Sequence, residues 1–300
     1  MDRTLKTSIV VCSDGRREGL AALFDSFARL ALPETGTAEV ILVDNSPTGV
    51  LRPAFERLSK GLVLPSRYVA EPRPGKTFAQ NRGLDVARGE IIAFTDDDCL
   101  AAEDWLLRLS HHFQQDSELQ VLGGRVELRD PADLSVTVKS VLQRETLVAP
   151  DQLFGFLHGC NMAVRRGLFE QIGPFDTRFG PGSFFGAGED TELVYRAFDG
   201  GCRIAYEPDV LVFHDHGRRH WWQARALVNR YQMANGALLM KHAAAGDHQA
   251  KALLRGVARR PFAIFARQPW AALEVTRALH RSFLFLLGAL RYRVLGAWRP

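Results

Sequence analysis

The sequence predicts an α/β protein: a mostly parallel sheet with helices on both faces, followed by a helical C-terminal extension. Three observations carry this prediction. Short β-branched runs alternate with helical spacings through the first hundred residues. The apolar runs stop abruptly in acids or turn residues, at the strand ends where open α/β sheets place their ligands. No strand pattern returns after Arg218, so residues 1–217 are expected to form the sheet-bearing domain and 218–300 a helical, basic region.

The elements follow in order. Thr7–Cys12 is a β-branched strand closed by Ser13-Asp14-Gly15-Arg16, and Leu20, Leu23, Phe24, Phe27 and Leu30 then recur at helical spacing until Pro33. Glu39–Val43 repeats the strand pattern and ends at Asp44-Asn45-Ser46-Pro47. A helix over about Val50–Lys60, a short strand at Arg67–Ala70 and a proline-rich turn precede a helix carrying Phe78, Leu84 and Val86. Ile91–Thr95 is a fourth strand, and it runs straight into Asp96-Asp97-Asp98. A helix starting near Ala102 and marked by Trp105, Leu106, Leu109 and Phe113 comes next, then a strand at Leu119–Val126. Asp130–Asp151 has no clear period and reads as a loop with one helix. Gly159–Val164 is a strand, Phe179–Gly188 a glycine-rich loop leading into a helix that opens with Glu189-Asp190, and Ala205–Phe213 a last strand ending at His214.

Composition excludes several classes. A chain of 300 residues, 46% hydrophobic and 24% charged, can bury a substantial core. Its four cysteines, Cys12, Cys99, Cys160 and Cys202, form no C-x-x-C pair, and Met1–Lys6 lacks an apolar signal region, so a reducing, cytoplasmic setting is expected. The thiols are then small buried hydrophobes or, for Cys99, a neighbour of the acids. Neither G-x-G-x-x-G nor G-x-x-x-x-G-K-[ST] follows the first strand, which argues against a dinucleotide fold and a P-loop enzyme.

Three like charges in a row repel unless a cation or solvent offsets them, and hard oxygen donors suit Mg²⁺ or Mn²⁺. With phosphates held by a metal rather than by a glycine loop, Asp14, Asp44 and Asp96 to Asp98 are expected to share one crevice. Taken singly, Asp14 and Asp44 are equally turn residues, the triplet a solvated helix cap, Glu189 and Asp190 helix-dipole acids, and His214 a surface histidine.

In combination these segments resemble an inverting family 2 glycosyltransferase of the GT-A, Rossmann-like fold, from about Thr7 to His214. The motifs are the opening strand with Asp14, Val43-Asp44-Asn45-Ser46, Ala79–Gly83, Thr95-Asp96-Asp97-Asp98 as the family's D-x-D signature, Gly159-Cys160-Asn161, Gly188-Glu189-Asp190 and Pro208–His214. The resemblance implies a nucleotide-binding half (1–100) and an acceptor half (101–217). Asp14 and Asp44 would contact the base and ribose of a nucleotide-sugar donor, expected to be UDP-linked, and Asp96 the ribose. Asp98 would hold the metal with His214 as a further ligand. Asp190 would be the general base toward a glycan or lipid-linked acceptor, with Glu189 beside it. Relatives usually read Ala-Arg-Asn-x-Gly before the central strand, whereas here Ala79-Gln80-Asn81-Arg82-Gly83 stands; Asn81 and Arg82 are the donor-binding candidates of that segment. A nucleotidyltransferase of similar fold and a non-catalytic binding module are the competing readings.

The tail carries the basic charge. Lys251–Pro300 holds ten Lys/Arg and one acid, Glu274, in a chain whose total is +4. Phe283–Leu290, the longest apolar run, is far short of the ~20 residues that cross a bilayer. Arg277, Arg281, Arg291 and Arg293 flank it, with Phe262, Phe265 and Trp270 upstream. An amphipathic helix lying peripherally on an anionic inner leaflet is expected, or else a helix packed on the domain, and no nucleic-acid partner.

Overall fold

The computed structural model describes residues 7–16, 18–33, 37–267 and 272–295. Met1–Lys6 and Trp270, which enter the expectations above, lie outside the described residues.

The first half is parallel throughout. β1 (Thr7–Ser13) feeds α1 (Glu18–Ala28), β2 (Ala38–Asp44) feeds α2 (Arg52–Leu58), and β3 (Ser66–Ala70) feeds α3 (Lys76–Val86) before β4 (Ile91–Asp96). β1 lies between β2 and β4, with Ser13 level with Asp44 and Cys12 level with Asp96. The register therefore delivers three strand ends to one edge. β1 is buried along its whole length because helices cover both faces. Ile9 and Val11 belong to a core layer with Leu20, Leu23, Phe24 and Phe27 of α1, whereas Val10 and Cys12 belong to the opposite layer with Ala79 of α3.

Antiparallel strands enter after the acid triplet. The chain runs through β5 (Cys99–Ala101), α4 (Trp105–Gln115), β6 (Leu119–Leu128), β7 (Glu145–Thr146), β8 (Asn161–Arg165), α5 (Arg166–Ile172), α6 (Glu189–Asp199) and β9 (Arg203–His214). Strand order is β3-β2-β1-β4-β8-β6-β9-β5, with β7 on β9. β8 is antiparallel to both β4 and β6, and β5 pairs antiparallel with β9 so that Cys99 faces His214. β5 is the element the sequence hid: three residues between the triplet and α4 that fasten Asp98 beside the end of β9.

The helix expected within Asp130–Asp151 is not there. That segment holds β7 and a single 3₁₀ turn at Pro150–Gln152. Lys139 organises it instead, pairing with Glu145, donating to the Phe156 carbonyl at 2.9 Å and lying over the rings of Phe156 and Tyr206. Such contacts leave no period in the sequence.

Past β9 the chain is helical: α7 (Trp221–Ala244), α8 (His248–Arg267) and α9 (Ala272–Leu295). These helices share the sheet's core, since Ala237, Leu238, Leu239 and Phe285 belong to the layer that holds Val10 and Ile41. α7 and α9 touch backbone to backbone. A Cβ at Gly236 would meet the Phe285 carbonyl oxygen at 1.8 Å, and one at Gly288 the Met233 oxygen at 1.8 Å. No described helix is long and apolar enough to cross a membrane.

Candidate active site

The strand ends, the glycine-rich loop and α7 enclose a cleft of about 540 Å³. Asp14, Asp96, Asp98, Glu189, Asp190 and His214 all line it, so six of the nine candidate residues converge. Asp14 is the most open of them, 70% exposed, with Arg16 Nε 3.2 Å away. The same guanidinium reaches Asp97 at 2.6 Å and Asp98 at 3.4 Å, so one cation straddles the acids at the ends of β1 and β4.

The triplet divides into three environments. Asp96 is paired with Lys76 Nζ at 2.6 Å. Asp97 is buried; Ser13 Oγ donates to its Oδ2 at 2.5 Å, and burial, opposed by Arg16, pushes its carboxyl up to about 6. It is thus a fixed strut rather than a bare turn. Asp98 Oδ1 lies 3.4 Å from His214 Nε2. Burial works against its charge, but His214 and Arg16 outweigh burial and hold it down to about 2; His214, also opposed by burial, is pushed up to about 9 by Asp98. Without a metal this is an ion pair. Thr137, from the aperiodic segment, meets His214 Nδ1 at 3.2 Å and orients the ring.

Across the cleft, Gly188 is left-handed (φ 85°) and turns the chain into α6, whose first two residues are Glu189 and Asp190. Asp190 is held from two sides: Gly159 N donates to Oδ2 at 2.8 Å and Thr191 N to Oδ1 at 2.6 Å. His158, beside Gly159, is driven toward its neutral form by burial, against the pull of Asp190. Glu189 is buried and pushed up to about 7 by burial, which Lys76 opposes and Asp190 reinforces. Lys76 Nζ, 3.5 Å from Glu189, thereby ties the two acidic clusters together. The basic group missing from Gln80 arrives one turn earlier, at the first residue of α3; Gln80 itself is buried with no hydrogen-bond partner among the described residues. The signal available in the sequence was Pro74-Gly75-Lys76 opening a helix beside a strand end.

Three candidates stand outside the cleft. Asp44 is fully buried, and its carboxylate accepts from Ser46 N at 3.0 Å, Leu51 N at 2.8 Å and the Tyr68 hydroxyl at 2.8 Å, fixing the turn after β2. Its neighbour Asn45 lines the cleft in its place. Asn81 exchanges two 2.9 Å hydrogen bonds with the backbone of Phe175, and Arg82 is exposed on α3. Sequence reasoning also missed the contribution of the helical region: Leu227, Arg230 and Tyr231 of α7, with Arg218 before it, line the same cleft. Arg218 Nη1 is buried without a hydrogen-bond partner among the described residues.

Residues 8–173 match the sequence model of the family described as Glycosyl transferase family 2. The chain belongs to glycosyl transferase family 2. It is 30% identical over 149 residues to a pre-mycofactocin glycosyltransferase of Mycobacterium tuberculosis, a match covering 47% of this chain and 30% of that protein. It is 28% identical over 219 residues to the succinoglycan biosynthesis protein ExoM of Rhizobium meliloti, covering 70% and 67%. The chain thus spans under a third of the mycobacterial relative's length and about two thirds of the rhizobial one's. Among solved structures it is similar to a mannosyltransferase from Pyrobaculum calidifontis in complex with GDP-Man and Mn²⁺ (TM-score 0.64, 20% identity, 95% of this chain and 86% of that one). It is also similar to TarS of S. aureus (TM-score 0.58, 17% identity, 94% and 55%). At these identities the structural likeness carries the fold, and the fold is GT-A.

Proposed function

We propose that the chain transfers a sugar from a nucleotide-sugar donor to a hydroxyl of a glycan or lipid-linked acceptor, with inversion. The observation that carries this reading is Lys76, whose ammonium joins Asp96 at the donor side to Glu189 at the helix that presents Asp190. The two acidic clusters therefore share one cleft rather than merely following one another in sequence. Asp14, Asn45 and Asp96 would face the nucleoside. The donor set of Asp98 and His214 at the cleft wall fits a divalent ion, Mg²⁺ or Mn²⁺; such an ion stabilises the charge that gathers on a leaving diphosphate. Arg218, with its unpartnered Nη1, supplies a charge-assisted donor for the same anion. Asp190, held in place by Gly159 and Thr191, takes the acceptor proton as the hydroxyl attacks.

The helical region gives the reading its second part. The exposed side of α9 presents Leu279, Phe283, Leu286, Leu290 and Val294 at helical spacing among Arg277, Arg281 and Arg293, while Ala278, Phe285 and Ala289 face inward. This face supports peripheral docking on an anionic bilayer, which would bring a lipid-linked acceptor to the cleft rim. Because α9 packs on α7, point substitution is the better test than truncation. Phe283→Glu with Leu290→Glu should abolish flotation with anionic vesicles while leaving melting unchanged; undiminished flotation would remove the membrane part.

A thermal-shift screen of UDP- and GDP-sugars, with and without Mn²⁺, tests the transfer reading. A donor that binds should raise the melting point only with the metal present, because ligand binding stabilises the fold by mass action. No shift with any nucleotide sugar would overturn it.

A further inference from the structure

The cleft wall contains sulfur as well as oxygen. Cys99 and Cys160 are both buried, and with His214 they form a group whose ligand atoms all lie within 4.8 Å of one another. Asp98 Oδ1 adjoins it, 3.9 Å from Cys99 Sγ and 3.4 Å from His214 Nε2. Two strands and the turns entering β5 and β8 bring these donors together. Cys99 opens β5 and is level with His214 on β9, while Cys160 immediately precedes β8. Cys160, His214 and Asp98 line the cleft and Cys99 lies beneath them, fully buried.

We infer that Cys99, Cys160, His214 and Asp98 form a sulfur-bearing metal site that binds Zn²⁺ in competition with Mg²⁺ or Mn²⁺. The donor types decide the ion: two thiolates, one imidazole and one carboxylate are a tetrahedral zinc set, whereas Mg²⁺ and Mn²⁺ prefer oxygen. Closing the three donors of Cys99, Cys160 and His214, all within 4.8 Å of one another, onto zinc, with metal–sulfur bonds of ~2.3 Å and metal–nitrogen bonds of ~2.0 Å, needs side-chain movements of roughly 1 Å or less, and Asp98 completes the set from beside them. The charge balance is explicit. The ion replaces one proton on each thiol and the proton on His214, and these three protons leave through the cleft to solvent; no electron moves. The site shares His214 and Asp98 with the oxygen-donor position, so the two metals exclude each other. That competition rests on the function proposed above, whereas thiolate coordination does not.

His112, Glu207 and Asp209 form another convergent group, but it holds no sulfur donor and Asp209 is exposed.

The test is Co²⁺ titration of the full metal-free chain, read by absorption. Expected is one equivalent of Co²⁺ with a near-ultraviolet thiolate-to-cobalt charge-transfer band, erased by Zn²⁺ and not by an equal concentration of Mg²⁺. Cys160→Ser should halve the band, and Cys99→Ser with Cys160→Ser should remove it, while Cys202→Ser, far from the cleft, keeps it. Absence of the band in the wild-type chain overturns the inference without recourse to any variant. A band that persists in the double variant, shown to be folded by an unchanged metal-free melting curve, overturns it as well. Mn²⁺-supported donor turnover without a cobalt band would leave the function standing and remove this site alone.

Discussion

The first turn of α6 carries two buried glutamates under opposite fields, one reaching the cleft and one reaching the core. On the cleft face Glu189 is buried with Lys76 at 3.5 Å and Asp190 adjacent, and burial pushes its carboxyl up to about 7. Three residues on, toward the core, Glu192 is also buried, yet His242, Arg196 and Lys241 overcome burial and hold it down to about 2. Lys241 additionally reaches Asp176 at 2.8 Å, so α6, α7 and the loop after α5 are joined at Glu192. Burial is common to both acids; the supply of cations differs. The core face is saturated and structural, whereas the cleft face is left short of positive charge, which suits the roles proposed above for its acids.

Four measurements test this contrast. Asp190→Asn, on the cleft face, should lower turnover by about 10²–10⁴-fold with melting and donor affinity unchanged, the range of a lost general base. Glu192→Ala, on the core face, should lower unfolding free energy by ~3–5 kcal/mol, because Arg196 loses its carboxylate partner inside the fold and Lys241 keeps only Asp176; urea denaturation reads it. Equal stability losses from the two substitutions would erase the distinction between the faces.

The faces should also respond to pH with opposite signs. Glu192's folded value lies below its ordinary 4.5, so its stabilisation is complete above pH 4.5 and disappears as pH falls through about 2. The lowering corresponds to roughly 3 kcal/mol. Glu189's folded value is raised, so the chain is favoured below pH 4.5 and that advantage is lost as pH rises through about 7. Urea midpoints across pH should show both slopes in the wild type, the acid-side slope missing in Glu192→Gln and the near-neutral slope missing in Glu189→Gln. Smallest is Lys76→Met, which should cost about 1.5–3 kcal/mol through its lost charged hydrogen bond to Asp96. It should also move Glu189's slope to higher pH, visible in the same midpoints.

The strand ends were legible in the sequence because a buried parallel strand is an unbroken apolar run, and each run stops where the polar edge begins. That gave Asp14, Asp96 and Asp98 their place, and the glycine loop gave Glu189 and Asp190 theirs. Asp14 and Asp44 occupy like positions after like runs, yet only one opens on the cleft. The difference lies in Tyr68, one strand away, and in amides of the turn after β2, which enclose Asp44. Lys76 escaped notice because a lysine's long stem acts where its tip lands, beside acids distant in the chain. α7 escaped for the same reason: helical spacing says which residues share a face but not which element that face meets. The aperiodic segment before β8 is held by Lys139 and Tyr206 contacts that no local pattern encodes.

In the proposed reaction Asp98 and Asp190 serve different steps within one cleft. Mn²⁺-dependent donor binding and turnover, measured side by side in Asp98→Ala and Asp190→Asn, test it most directly. Asp98→Ala should lose metal-dependent donor binding, while Asp190→Asn should bind the donor like wild type and turn over at least about a hundredfold more slowly. Wild-type turnover by Asp190→Asn, or donor binding that ignores the metal and Asp98 alike, would contradict it.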